Sequence, residues 1–153
     1  MAKCLCERLG RTLVDMDEEI VRQQDMAISD IFDEYGEKYF RRLETDLLEE
    51  VTARMHQVIS CGGGIVLKEE NISIMKENGK VVLLTAEPET IYDRVKDNSS
   101  RPLLNGNMSI TYICELMEER QFLYEEAADL IVETDAKEVE DIVDKICKKL
   151  RLE

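Results

Sequence analysis

The amino-acid sequence predicts an α/β protein with a three-layer, doubly wound parallel sheet. Three observations carry that expectation. Short apolar runs of strand length alternate with stretches of helical period along the whole chain. The runs are aliphatic or β-branched and end on polar residues or glycine, as strands buried on both faces do. No repeat and no linker-like composition divides the 153 residues, so they read as a single domain, 1–153.

The strands are expected at Thr12 to Asp15, Gln57 to Cys61, Lys80 to Thr85 and Asp129 to Glu133. The first leads into a helix beginning at Glu18. Ile28, Ile31, Phe32 and Tyr35 then recur at i, i+3, i+4 and i+7, the apolar stripe of a helix. Phe40, Leu43, Leu47 and Val51 repeat that spacing in a helix over 37–54. After the second strand, Cys61 leads into three glycines, Gly62, Gly63 and Gly64, and a further helix covers 69–78. Pro88 suits a first helical turn and opens a helix over 88–97. Long helices follow at about 109–127 and 138–150. Between 97 and 109 lies a polar segment holding Pro102 and Gly106, with the length of a lid or of a plain connector.

Composition narrows the function classes. The formal net charge is −14, which opposes general nucleic-acid binding, while leaving room for a local basic pocket. No apolar run approaches the roughly 20 residues of a membrane span. Charge interrupts the only apolar patch at the start, so no signal peptide is expected and the cytoplasm is the expected compartment. The five cysteines are an odd number, and only Cys4 and Cys6 lie close together. With a single histidine, His56, they predict reduced, mostly buried thiols and no structural zinc.

Several polar residues stand where chemistry is expected. Asp15 and Asp17 follow a strand at the carboxyl edge of the sheet, where open α/β proteins bind ligands. They can hold Mg²⁺ through water and deprotonate a hydroxyl, or Asp17 can simply cap the next helix. The glycine run offers bare amides to an anion, or makes a tight turn. Arg120 falls inside the apolar stripe Ile113, Leu116, Met117, Leu123, Tyr124, Ala127. It therefore needs either a protein carboxylate or an anionic ligand. Arg41 and Glu44 have the spacing of an ordinary surface pair. Arg101 precedes Pro102 and is held extended.

Taken in order, LVDMDEEI (13–20), IFDEYGEKYFRRLE (31–44), CGGGIVL (61–67), RPLL (101–104) and ERQFLY (119–124) resemble the shikimate kinase family, with motif order and spacing kept. The resemblance covers essentially the whole chain. It implies a cytoplasmic P-loop kinase of the nucleoside-monophosphate-kinase type. Such an enzyme transfers the ATP γ-phosphoryl group to the 3-hydroxyl of shikimate, on the route to chorismate and aromatic amino acids. ATP and Mg²⁺ are the implied cofactors, and shikimate is the implied small-molecule partner.

By the same resemblance, Asp15 holds Mg²⁺ through water, and Asp17 binds shikimate hydroxyls and acts as base. Arg41 and Arg120 grip the substrate carboxylate, Gly63 and Gly64 offer backbone amides, and Glu44 steadies the arginines. Arg101 reaches the phosphates from a lid at 97–109, and Arg94 lies beside adenine. Residues 16–45 form the substrate-binding subregion, with Phe32 and Phe40 lining the pocket.

One family motif is missing from the 153 residues: a first strand followed by Gly-x-x-Gly-x-Gly-Lys-Ser/Thr, which cradles the phosphates. Gly79-Lys80 does not replace it, because Ile74 and Val81 stand where glycine and Ser/Thr belong. The first residues resemble the later turns of the helix that follows that loop. The family sheet order is 2-3-1-4-5, so the resemblance implies an α/β sheet without its central strand. Inactivity of the truncated chain, reduced stability and self-association through unpaired edges are then expected. Two alternatives stay open: a non-catalytic shikimate-binding remnant, and another small-molecule P-loop kinase such as a gluconate kinase.

Overall fold

The structure is a computed structural model that describes residues 1–96 and 109–152. Arg101 and all but the last position of the expected lid, 97–109, lie outside the described residues. The elements run α1 (Ala2–Leu9), β1 (Thr12–Asp15), α2 (Met16–Gln24), α3 (Ile28–Tyr35), α4 (Glu37–Thr52) and β2 (Gln57–Ser60). A 3₁₀ turn (Gly63–Leu67) then leads to α5 (Glu69–Asn78), β3 (Val82–Thr85), α6 (Pro88–Val95), α7 (Ile110–Ala127), β4 (Leu130–Glu133) and α8 (Val139–Leu150). The alternating α/β order is the one expected.

Element ends differ from expectation for visible reasons. Helix α2 begins at Met16, two residues early, because Asp15 is its cap: the Asp15 carboxylate accepts the Glu18 amide at 3.2 Å. The sequence reading had offered that role to Asp17. Strands β3 and β4 are shorter than expected. At their start the Val81 amide donates to the Asp129 carboxylate at 2.7 Å, in place of a ladder bond. Helix α7 starts at Ile110 because the Ser109 hydroxyl accepts the Tyr112 amide at 3.1 Å. Helix α1 ends on Gly10 at φ 61°, a left-handed position suited to glycine, which turns the chain into β1.

The strands form two parallel pairs, β1–β2 and β3–β4. A sheet order with no strand in its middle place, as the resemblance implies, agrees with these pairs. Each pair has its own core. Met16, Ile20, Ile31, Phe40, Leu48 and Val51 are among the residues filling the larger one, beside β1 and β2. Val132, Ile142 and Ile146 form the smaller, between β4 and α8. Helix α1 joins the halves: it packs on β1, β2 and α8, and its Leu5 reaches the smaller core.

The thiols correct one expectation. All five are free, but only Cys6 and Cys147 are buried; Cys4 and Cys114 are half-buried and Cys61 is exposed. Cys61 stands just past the end of β2, where the chain leaves the sheet.

Candidate functional site

The parallel register places the site. Asp15 lies opposite Ser60, so the two chains leave the sheet side by side. Two residues further on, Asp17 and Gly62 meet: a methyl added at Gly62 would lie 3.5 Å from Asp17 Oδ1 and 3.6 Å from Glu44 Oε2. Both strands thus deliver their functional residues to one carboxyl edge, as predicted for an open α/β sheet.

Helix α4 supplies the charged floor. Arg41 and Glu44, read from spacing as a surface pair, are instead buried, at 9% and 1% exposure. Arg41 Nη1 donates to Glu44 Oε1 at 2.6 Å. Its Nε and Nη2 both donate to Glu37 Oε1, at 3.3 and 3.2 Å. The guanidinium carbon sits 5.4 Å from the Phe40 ring centroid, and Phe40 packs on Phe32 with the rings tilted and their centroids 4.8 Å apart. Phe40 belongs to the core, which holds the base of the arginine rigidly. Three hydrogen bonds on one cation, the shortest to buried Glu44, fix its direction.

The glycines fit around that cation. A methyl at Gly64 would fall inside the Arg41 guanidinium, so only glycine lets the backbone pass. The 3₁₀ turn from Gly63 makes its first bond from the Ile65 amide to the Gly62 carbonyl, at 3.2 Å. The amides before that bond are the ones a helical start leaves for other acceptors. From α7, Arg120 brings Nη1 to 3.7 Å from the position of a Gly63 methyl. One turn later, Tyr124 donates its hydroxyl to the Gly63 carbonyl at 2.8 Å.

The electrostatics match this crowding of charge. Burial pushes the Glu44 carboxyl up; Arg41 pulls it back down by charge and hydrogen bond, Asp17 raises it again, and Arg120 lowers it. The Cys61 thiol is pushed up to about 12 by desolvation, then by Glu44, Asp17 and Asp15. The site is therefore a field of alternating sign, with two arginines beside the glycine turn and carboxylates next to them.

Asp15, Asp17, Arg41, Glu44, Gly63, Gly64 and Arg120 thus gather on the β1–β2 half. Arg94 does not. It lies on α6, where Nη1 donates to Thr134 Oγ1 at 2.9 Å and Nη2 to the Thr134 carbonyl at 3.5 Å. Among the described residues no group of three or more Asp, Glu, His or Cys side chains could hold a metal. A separate groove of about 420 Å³ runs along β1, bordered by Leu13, Asp15, Arg22, Arg54 and Met55; it shares only Asp15 with the site. Sequence reading missed two residues here. Glu37 was legible as an i, i+4 partner of Arg41. Tyr124 stood in an apolar stripe and closed the ERQFLY motif without a role, and nothing local tells that its hydroxyl meets residue 63.

Comparison with known proteins points to one family. The family model described as shikimate kinase matches residues 1–151. A shikimate kinase of Dehalococcoides mccartyi is 40% identical over 151 residues, covering 99% of this chain and 85% of its own length. That of Persephonella marina is 40% identical, over 99% of this chain and 90% of its own. Among solved structures, a shikimate kinase from Acinetobacter baumannii in complex with shikimate superposes with a TM-score of 0.94. It is 33% identical, over 98% of this chain and 84% of that one. A shikimate kinase from Aquifex aeolicus gives 0.83 at 34% identity, over 98% and 87%.

Proposed function

The chain belongs to the shikimate kinase family, and we propose from this that it serves ATP-dependent phosphorylation of the shikimate 3-hydroxyl, in the cytoplasm. The product, 3-phosphoshikimate, feeds chorismate and aromatic amino-acid synthesis. One observation carries the reading: Arg41 and Arg120 flank the glycine turn beside Asp17. Two guanidinium groups suit the carboxylate of shikimate, and the amides of Gly63 and Gly64 suit its oxygen atoms. Asp17 would accept the hydrogen of a substrate hydroxyl and draw its proton as the oxygen is engaged. Glu44 would hold Arg41 in direction without touching substrate, its carboxylate already bound to Nη1.

Family membership brings ATP and Mg²⁺. Asp15 gives one oxygen to the Glu18 amide and has a second for a metal-bound water. That fits a Mg²⁺ that keeps most of its own water shell. When bound, the ion would neutralise phosphate charge. The triphosphate fits less well: the 153 residues contain no Gly-x-x-Gly-x-Gly-Lys-Ser/Thr cradle. Arg94, carried over as a neighbour of adenine, is held by Thr134.

That motif difference favours a second reading, in which these 153 residues bind shikimate without turning it over. Positioning supplies most of the catalysis in phosphoryl transfer, so residues 1–153 by themselves would hold the triphosphate poorly. Calorimetry and a coupled ADP assay test both readings together. Shikimate binding is expected, with Arg120→Ala abolishing it. Turnover at about 1–100 s⁻¹ would establish the kinase reading for these residues and reject the second; no binding at all would reject both.

A further inference from the structure

We propose that Tyr124 is a positioning residue that sets the direction of the glycine-turn amides and the height of Arg120 above them. The inference rests on the substrate reading above and extends it to a residue that never touches the substrate.

Three consecutive glycines have little intrinsic preference for one conformation, so the turn needs an outside anchor. Tyr124 is that anchor. Its hydroxyl donates to the Gly63 carbonyl at 2.8 Å, across 61 residues of sequence. Its ring packs against the larger core, which fixes where the hydroxyl ends. In a trans peptide the carbonyl and the following amide point in opposite directions. Holding the Gly63 carbonyl toward α7 therefore turns the Gly64 amide away from α7. Tyr124 and Arg120 lie four residues apart on α7, on one face of the helix. The hydrogen bond thus ties the turn to the same helix that carries Arg120. One hydroxyl fixes the turn relative to the helix that carries that guanidinium.

The space around the bond is closely fitted. A methyl at Gly63 would sit 3.1 Å from the Tyr124 oxygen, tighter than ordinary contact. That gives a second test, independent of simple loss of the hydroxyl.

The experiment is shikimate calorimetry on the unaltered protein and on Tyr124→Phe, Gly63→Ala and the double variant, with amide NMR of each. Tyr124→Phe is expected to raise the shikimate Kd up to about tenfold, the upper end of what one lost hydrogen bond contributes. The Gly64 amide resonance should move, and resonances of β4 and α8 should not. Gly63→Ala should weaken binding more in the presence of the hydroxyl than in Tyr124→Phe, because Phe removes the clash. Unchanged affinity in Tyr124→Phe, or strictly additive effects, would overturn this inference and leave the substrate reading standing. Failure of the unaltered protein to bind shikimate would overturn both. If Tyr124→Phe fails to fold, Gly63→Ala still decides: affinity equal to the unaltered protein sinks the inference.

Discussion

At the scale of single residues, the site depends on side chains that exclude one another's neighbours. Gly62 and Gly64 are equivalent on paper, two positions apart in one run. The structure separates them. A methyl at Gly62 meets carboxylate oxygens at 3.5–3.8 Å, ordinary contact, whereas one at Gly64 overlaps the Arg41 guanidinium. Arg41 has little room to yield, since it is tied to Glu37 and Glu44 and rests beside Phe40. Gly64→Ala should therefore cost about 1–3 kcal/mol of stability as overpacking, and abolish shikimate binding; Gly62→Ala should leave both nearly intact. Denaturant unfolding and calorimetry on the pair check this, and equal losses would show that the arginine moves freely. The glycine run was legible in the sequence as an anion-binding turn, because three glycines are costly without a reason. The resemblance singled out Gly63 and Gly64 for their amides, but which glycine admits no side chain was not legible. That depends on where Arg41 lies, and its burial follows from packing between α4 and the turn. Spacing alone gave Arg41 and Glu44 the look of a solvated pair.

At the scale of elements, local pattern located helices and strands well, and long-range contacts set their ends. Helix α6 is the clearest case. Its own cap residue, Glu87, contributes no side-chain bond. The cap comes from Asp135, 48 residues away and just past β4. Both carboxylate oxygens accept the Glu87 amide at 3.1 Å, and one also accepts the Thr90 hydroxyl. Pro88 announced the helix in the sequence; nothing near it announced this partner. The Thr90 hydroxyl, followed by the Glu87 amide, holds the Asp135 carboxyl below its ordinary value of 3.8. A carboxylate depressed in this way adds stability above the ordinary value and loses it as pH falls through its own lower one. The start of α6 should therefore loosen in acid before the rest of the protein. Amide exchange at Ile91, whose N–H bonds the Glu87 carbonyl, should rise between about pH 5 and pH 2 after correction for intrinsic rates. Asp135→Asn should show the raised exchange already at neutral pH, with the β1–β2 half unchanged. An Ile91 amide indifferent to both changes would mean that helix propensity alone holds this turn.

For the whole molecule, the alternation of strands and helices announced the α/β class, and the order of five motifs announced the family. The sequence could not show how two strand pairs share one protein, because that depends on α1 packing on β1 and β2 on one side and α8 on the other. Among the described residues β2 and β3 each pair on one side only, with partners β1 and β4. An unpaired strand edge offers amides and carbonyls to another chain. Against this stands the net charge of −14, which repels like molecules over roughly 10 Å at 0.1 M salt. The two tendencies respond oppositely to ionic strength. Screening removes the repulsion, while backbone pairing at an edge is nearly indifferent to salt. Self-association of the 153-residue protein is therefore expected to strengthen as salt rises, the reverse of association through charge pairs. Sedimentation velocity across a salt series measures this directly. Replacing Ile59 of β2 with proline removes one ladder donor and should lower association at every salt concentration. Replacing surface-exposed Phe122, at 73% exposure, should leave it unchanged if the edges are responsible. A monomer at all salt concentrations, melting in one cooperative step, would show that these edges are already protected within the fold.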